Sequence, residues 1–428
     1  MKFIIYFFLF VSIGCRSGAW SSSNSSKEFQ PEDYRIFPEY FSKYFPGVGV
    51  FSKHYATVSE ASKGLKLIEV KRLTTNDEPY NEANLAWSKD GVNLGYEIVT
   101  KTHRKIYLKD LKGNFSSEIL LLPKSRSAHL DSLLKRRIHS FNGSLRWSGD
   151  NRHYAFMSNG GKGEFNIYIG GIGLDQYPIA EDPQKDAHAS WNPVKNEVAF
   201  VSSRSGNGDL YLYGQAEKKL ERLSDTSEME MYPEWSNDGR SIFYSTGPSG
   251  RQKIEVVERK DQIWSKPRVL TAGLNDSIRP VPSPNGRYIA FYSRSTKTVS
   301  VKGRALDQDS LWDLYLVSAT RNAEGMNYTS AERIASDIVI DLNTGPAWTP
   351  DSRKVIFSKR EQERFNPIFG YDVVSRKRYF LDTGTKMNRD IQVSKLGVLS
   401  FRAQVGSWDR VFLALTNQGL GLQQQGVR

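Results

Sequence analysis

Along residues 241–246 and 288–293 apolar and other side chains alternate with a period of two, as in Ile242 and Tyr244 or Ile289 and Phe291. Successive side chains of a strand leave opposite faces, so this period predicts strands rather than helices. Each run follows a dipeptide suited to a tight hairpin turn, Asp238-Gly239 and Asn285-Gly286 here and Asp90-Gly91 elsewhere. Gly accepts positive φ, and the Asx side chain bonds its own backbone. A break rich in Gly or polar residues comes next, and then a further apolar strand: Ile254 to Val256, Leu210 to Leu212, Leu314 to Leu316. A fourth run ends in a polar cluster, as in ERLSD (221–225), RVLTAG (268–273) and ERIASD (332–337).

The order recurs. Trp87, Trp147, Trp191, Trp235 and Trp348 each open a copy, as in WSNDGRSIFYS from Trp235; a copy without tryptophan starts at Pro282 and a weak one at Val393. These starts lie 44–66 residues apart, near the roughly 40–50 residues of a four-stranded propeller blade. One blade cannot bury both faces, so blades must stack around an axis. The expected fold is all-β: a β-propeller of four-stranded antiparallel blades, seven in number, or six if the Val393 copy is not a blade. The last copy has only three strands, and LKLIEVKRLTT (65–75) has the ending of a fourth strand with no blade before it. The N-terminal strand is therefore expected to pair with the last blade and close the ring. The five tryptophans are assigned to the core between blades, where large aromatics dominate packing.

The unit PEWSNDGRSIFYS, with its later strand and its RLS or VLT ending, resembles the repeat of the TolB-type β-propeller family over roughly residues 65–416. The resemblance implies the propeller fold and a place in the bacterial envelope; propellers of this type host many roles, so it does not fix an activity. The family's eponym carries an α/β domain ahead of its propeller, and residues 16–64 are too short and irregular for one.

Residues 1–14 read as a lipoprotein signal peptide: Lys2, an apolar run from Phe3 to Val11, then Ser12-Ile13-Gly14 before Cys15, the chain's only cysteine. The stretch is too short to span a membrane. It resembles a relaxed bacterial lipobox, which implies that Cys15 carries acyl chains of the palmitate kind and becomes the mature N-terminus; the other reading is an ordinary signal peptide containing a cysteine. Residues 15–29 are Ser-rich and read as a flexible tether. Residues 30–64 form an irregular, aromatic-rich segment expected to pack on the propeller or to offer an aromatic patch to a partner or membrane interface. The propeller takes 65–417 and a tail 418–428.

Lys and Arg number 59 against 47 Asp and Glu, a formal net charge of +12. That balance favours anionic partners without naming one, and no nucleic-acid motif is present. Two insertions concentrate it. In 126–141 Leu130, Leu133, Leu134, Ile138 and Phe141 fall near helical spacing opposite Lys135, Arg136 and Arg137; a rim helix with a solvated basic face and a contact for an acidic partner or head group are both open. In 295–310 stand Lys297, Lys302 and Arg304, on a loop of the kind that carries binding. Catalysis leaves little trace: there is no GxSxG elbow, and His54, His103, His129, His139, His153 and His188 are scattered without metal-ligand spacing. The expectation is a non-enzymatic, monomeric, lipid-anchored envelope scaffold without a cofactor or metal, exported to the outer membrane or periplasmic face, binding a protein or peptide partner. The alternative is a propeller lyase or hydrolase acting on an envelope or extracellular polymer. Convergence of two or more His, Asp or Glu in the central funnel would favour the enzyme.

Overall fold

The computed structural model describes residues 54–55, 67–74, 78–112, 119–121, 140–160, 164–179, 183–295, 300–301, 304–305, 312–322, 325–361 and 365–416. Among them no α-helix occurs, and the strands form antiparallel meanders of the propeller kind. Blade three is the simplest. Its strands Asp186–Trp191, Glu197–Ser202, Asp209–Gly214 and Lys219–Arg222 pair in chain order.

The innermost strands of the seven successive sets are Asn81–Trp87, Ser140–Trp147, Asp186–Trp191, Glu230–Trp235, Ser277–Pro282, Ala347–Trp348 and Lys386–Val393. In the seventh set Leu67–Arg72 pairs antiparallel with Trp408–Thr416, so the front strand stands fourth beside the last three. His54–Tyr55, from the aromatic-rich segment, pairs in turn with Leu67–Arg72.

Period-two alternation divides each sheet between two cores. In blade three Val198 and Phe200 pack against Ile167 and Ile169 of blade two, whereas Ala199 and Leu212 pack against Ile242 and Tyr244 of blade four. One apolar cluster fills each junction between neighbours, and another joins Val398 and Leu413 of the seventh set to Leu94 and Tyr96 of the first. Both faces of every sheet are thus withdrawn from water, which no single blade could achieve.

The tryptophans sit in these junctions. The Trp147 indole N–H donates to the Ala86 carbonyl (3.1 Å), Trp235 to Ser190 (3.2 Å) and Trp348 to Val281 (3.0 Å), each to the preceding blade. Trp87 donates to the Ser400 hydroxyl (2.8 Å), and Trp191 is buried in the junction with blade two. The turns after them are cross-braced. The Ser236 hydroxyl donates to Asp238 (2.6 Å) and accepts from the Ser241 N–H (2.9 Å), and Gly239 turns at φ +67°. Turn formation therefore accounts for Asp238.

The helical spacing over 126–141 is corrected at its end. Residues 122–139 lie outside the described residues, but Ser140 and Phe141 begin a strand that runs parallel to His103–Asp110. Phe141 meets Phe165 edge-on at 5.1 Å, and the Arg104 guanidinium covers its ring at 4.8 Å. Those contacts need an extended backbone.

Candidate functional site

The third residue before each blade-opening position stands at one structural place. Asn84, Ser144, His188, Tyr232, Arg279 and Asp390 all have φ between +51° and +58°, and the ladder to the second strand slips beside each. These are β-bulges, which bend the strand and re-aim its side chains. The seventh place, in blade six, is held by Gly345. The residue directly before each opening position forms a second tier: Ala86, Arg146, Ser190, Glu234, Val281, Ala347 and Gln392 in turn.

The bulge tier converges on the axis. His188 meets the Tyr232 ring edge-on at 4.4 Å, and the Arg279 guanidinium lies 3.7 Å over that ring. Enclosure by protein, then Arg279 and Arg146, hold His188 down to about 3, so its ring is neutral at physiological pH.

Blade six departs from the repeat. Its inner strand is only Ala347–Trp348, and the residues before it form a turn at the axis with an isolated bridge between Asp341 and Thr344. Three blades clasp that turn. Arg402 of the seventh set pairs with Asp341 at 2.5 Å, Arg146 of blade two donates to the Asn343 carbonyl at 3.2 Å, and Arg279 of blade five donates to the Leu342 carbonyl. Gly345 permits the approach, because an added Cβ would lie 2.3 Å from the Val281 Cγ2 methyl.

Carboxylates gather here too. Asp390 is buried and accepts the Leu85 N–H at 3.2 Å; burial, then Asp341, push it up to about 7. Burial also pushes at Asp341, but Arg402 and the Asn343 N–H outweigh it and hold that carboxyl below its ordinary range. Glu97 accepts from Asn84 and from the Ser144 N–H, both at 2.6 Å, and burial raises it. The funnel thus does bring Asp, Glu and His together; each of these carboxylates is met by an arginine or an N–H, whereas His188 faces the Tyr232 ring beside Arg279. Among the described residues no group of three or more His, Cys, Asp or Glu is disposed to hold a metal ion.

Above the clasp, on the face of the tight turns, a cavity of about 300 Å³ opens at the axis. Five second-tier residues line it (Ser190, Glu234, Val281, Ala347 and Gln392), with walls of Trp191, Trp235, Trp348 and four prolines.

Of the residues singled out from sequence, Cys15, Lys135, Arg136, Arg137, Lys297 and Lys302 lie outside the described residues. Arg304 belongs to a short ribbon, Arg304–Ala305 paired with Ser300–Val301. His129 and His139 lie outside the described residues; His54 stands on the strand beside Leu67–Arg72, His103 on a third strand, and His153 bonds Asp150 at 2.6 Å, leaving His188 as the axial histidine among the described residues. Sequence reasoning passed over both axial tiers. The signal was a fixed offset, three and one residues before each opening position.

The model of the TolB beta propeller domain matches residues 69–314. The Tol-Pal system protein TolB of Francisella tularensis subsp. tularensis is 23% identical over 253 residues, which cover 54% of this chain and 57% of that protein. The chain thus spans little more than half the length of that relative. An oligogalacturonate lyase from Vibrio parahaemolyticus shares the fold at a TM-score of 0.55 and 12% identity, covering 85% of this chain and 97% of its own. A second structure, oligogalacturonate lyase in complex with manganese, matches at 0.56 and 12%, with 86% and 97% covered. By its blade repeat and the match over 69–314, this chain belongs to the TolB beta propeller domain family.

Proposed function

We propose that the protein is a non-enzymatic docking scaffold of the bacterial envelope, tethered through a lipid on Cys15 and holding a protein or peptide partner over the axial mouth. The observation that carries this reading is the floor of the funnel. The clasped turn around Asp341 and Asn343 closes the axis, leaving a shallow mouth whose frame of Trp and Pro is rigid and whose second-tier side chains vary from blade to blade. A rigid frame with varied tips suits recognition of a surface or peptide. The curated relatives supply the envelope context: the Francisella protein is by name part of the Tol-Pal system.

The test places a photo-crosslinking residue at Gln392 in the mouth and, separately, at Val374, which is 69% exposed, in cells of the native host. A defined envelope adduct from position 392 that disappears in Glu234→Lys supports the reading; adducts from 374 alone overturn it. Cys15→Ala in the same cells should release the protein from membranes, and retention would remove the anchor.

One observation favours the enzymatic reading. Asp341, half-buried, and Asp390, buried, are neighbouring carboxyls pushed in opposite directions, an arrangement that acid–base sites use. Acid-polysaccharide cleavage by the purified protein that vanishes in Asp390→Asn would establish it; an unchanged polymer would set it aside.

A further inference from the structure

On the face of the tight turns two hairpins outgrow their counterparts. In blade four Lys253–Lys260 turns back through Ile263–Trp264, and in blade five Trp312–Arg321 turns back through Met326–Tyr328, whereas the matching strand of blade three stops at Gly214. Asp261 and Gln262 both have positive φ (51° and 68°), the paired conformation whose twist suits a two-residue hairpin. Each hairpin is braced against a neighbouring element. Arg259 lies over Trp264 at 5.0 Å while holding Glu197 of blade three through two bonds of 2.9 Å. Arg268 lies over Tyr328 at 4.6 Å and donates to the Met326 carbonyl at 2.8 Å.

Beside these walls run two clefts of about 630 and 970 Å³. They meet at the Asp238–Arg321 ion pair (2.9 Å), and Asn237, Pro282 and Pro284 make the smaller one continuous with the axial mouth. Most of the carboxylates here are already engaged, Asp238 by Arg321 and Glu258 by Arg268. Lys195, Arg240, Lys260 and Arg287 are exposed along the furrow and form no ion pair with a described residue, against the single unpaired carboxylate of Asp261. Val194 and Ile263, 65% and 73% exposed, stand at the larger cleft.

We infer that this furrow docks an acidic, extended polypeptide segment of a partner protein. Its carboxylates would meet the four free cations, and an aliphatic side chain would cover Ile263 and Val194. A polyanionic saccharide supplies the charge but no side chain for those two residues, so the combination favours a peptide. The inference rests on the docking reading of the same face, yet the furrow lies outside the mouth, so each can fail alone.

Fluorescence anisotropy on the full chain tests it, with a labelled peptide in which glutamate pairs alternate with leucines. The comparators are the same peptide with lysine for glutamate, the same with serine for leucine, and an oligogalacturonate competitor. The glutamate–leucine peptide should bind about tenfold more tightly than either comparator peptide. It should weaken about tenfold in Lys195→Glu/Arg240→Glu/Lys260→Glu/Arg287→Glu, weaken with salt and in the single variant Ile263→Ser, and ignore Glu234→Lys at the mouth. Binding that survives the charge reversal, an equally tight serine peptide, or displacement by oligogalacturonate at matched charge would overturn the inference. Loss of binding in Glu234→Lys alone would move the peptide to the mouth.

Discussion

The inner strands of blades one to five and that of blade six begin from the same repeat and end differently. In the first five the strand is six to eight residues long and bends at one left-handed residue, from Asn84 to Arg279. In blade six two paired residues remain, glycine replaces the bulge side chain, and the turn before it is held by arginines from three blades. The five regular strands make a frame. The sixth turns its backbone toward the centre of that frame, where ionic and carbonyl contacts, together with Ile340 and Leu342 packed on the neighbouring core, hold it in place of a ladder.

The comparison breaks most sharply at Arg402. Its guanidinium and the Asp341 carboxylate are 12% and 9% exposed, so Arg402→Met leaves a buried charge without its partner, a loss of about 3–5 kcal/mol. The double variant Arg402→Met/Asp341→Asn should regain part of this, because the stranded charge is gone. Arg376→Met removes an exposed partner of Glu332 (69% and 51% exposed) and should cost less than about 1 kcal/mol. Urea unfolding separates the cases. Equal losses at Arg402 and Arg376 would mean that the turn is not held by its clasp.

A second, smaller effect concerns Asp390, which faces the same turn. Its folded value of about 7 exceeds the unfolded value of about 3.9, so its contribution to stability is fully present below about pH 4 and is lost as pH rises through 7. Asp390→Asn mimics the protonated form and keeps an oxygen for the Leu85 N–H. Relative to the parent it should be neutral at pH 4 and more stable at pH 8 by up to about 4 kcal/mol. An Asn-minus-Asp difference that stays the same from pH 4 to pH 8 would show that the carboxyl titrates in the folded state as it does in the unfolded chain.

Much of the frame was legible because its signals are local. Asp238-Gly239 specifies a turn through its own backbone chemistry, and Ile242 with Tyr244 marks two faces whatever lies against them. The bulges were not legible. Tyr232 and Arg279 have no intrinsic liking for positive φ, and the neighbouring blades impose it. Nor does anything in DLNTG (341–345) announce a turn clasped from three sides, since Arg146, Arg279 and Arg402 are distant in the chain. The spacing around Phe141 misled for the converse reason: its partners Arg104 and Phe165 come from other strands, and a period read along one segment cannot include them.

The smallest effect asks whether the irregularity of blade six stays at the axis. In blade one the Ser88 hydroxyl accepts the Asn93 N–H at 2.9 Å and donates to Asp90 at 2.6 Å. In blade six Thr349 does the same with the Lys354 N–H (2.9 Å) and Asp351 (2.6 Å), although the strand leading into it is so short. Removing either hydroxyl strands one backbone donor, at a cost of about 1 kcal/mol. If the turn is an autonomous unit, Ser88→Ala and Thr349→Ala should agree within about 0.5 kcal/mol in urea unfolding. If the turn and the clasp share strain, Thr349→Ala should cost more than Ser88→Ala, and the excess should shrink in the Arg402→Met/Asp341→Asn background. Agreement would confine the departure of blade six to the residues before Ala347, because the hairpin after Trp348 would then be held by the same local bonds as in a regular blade.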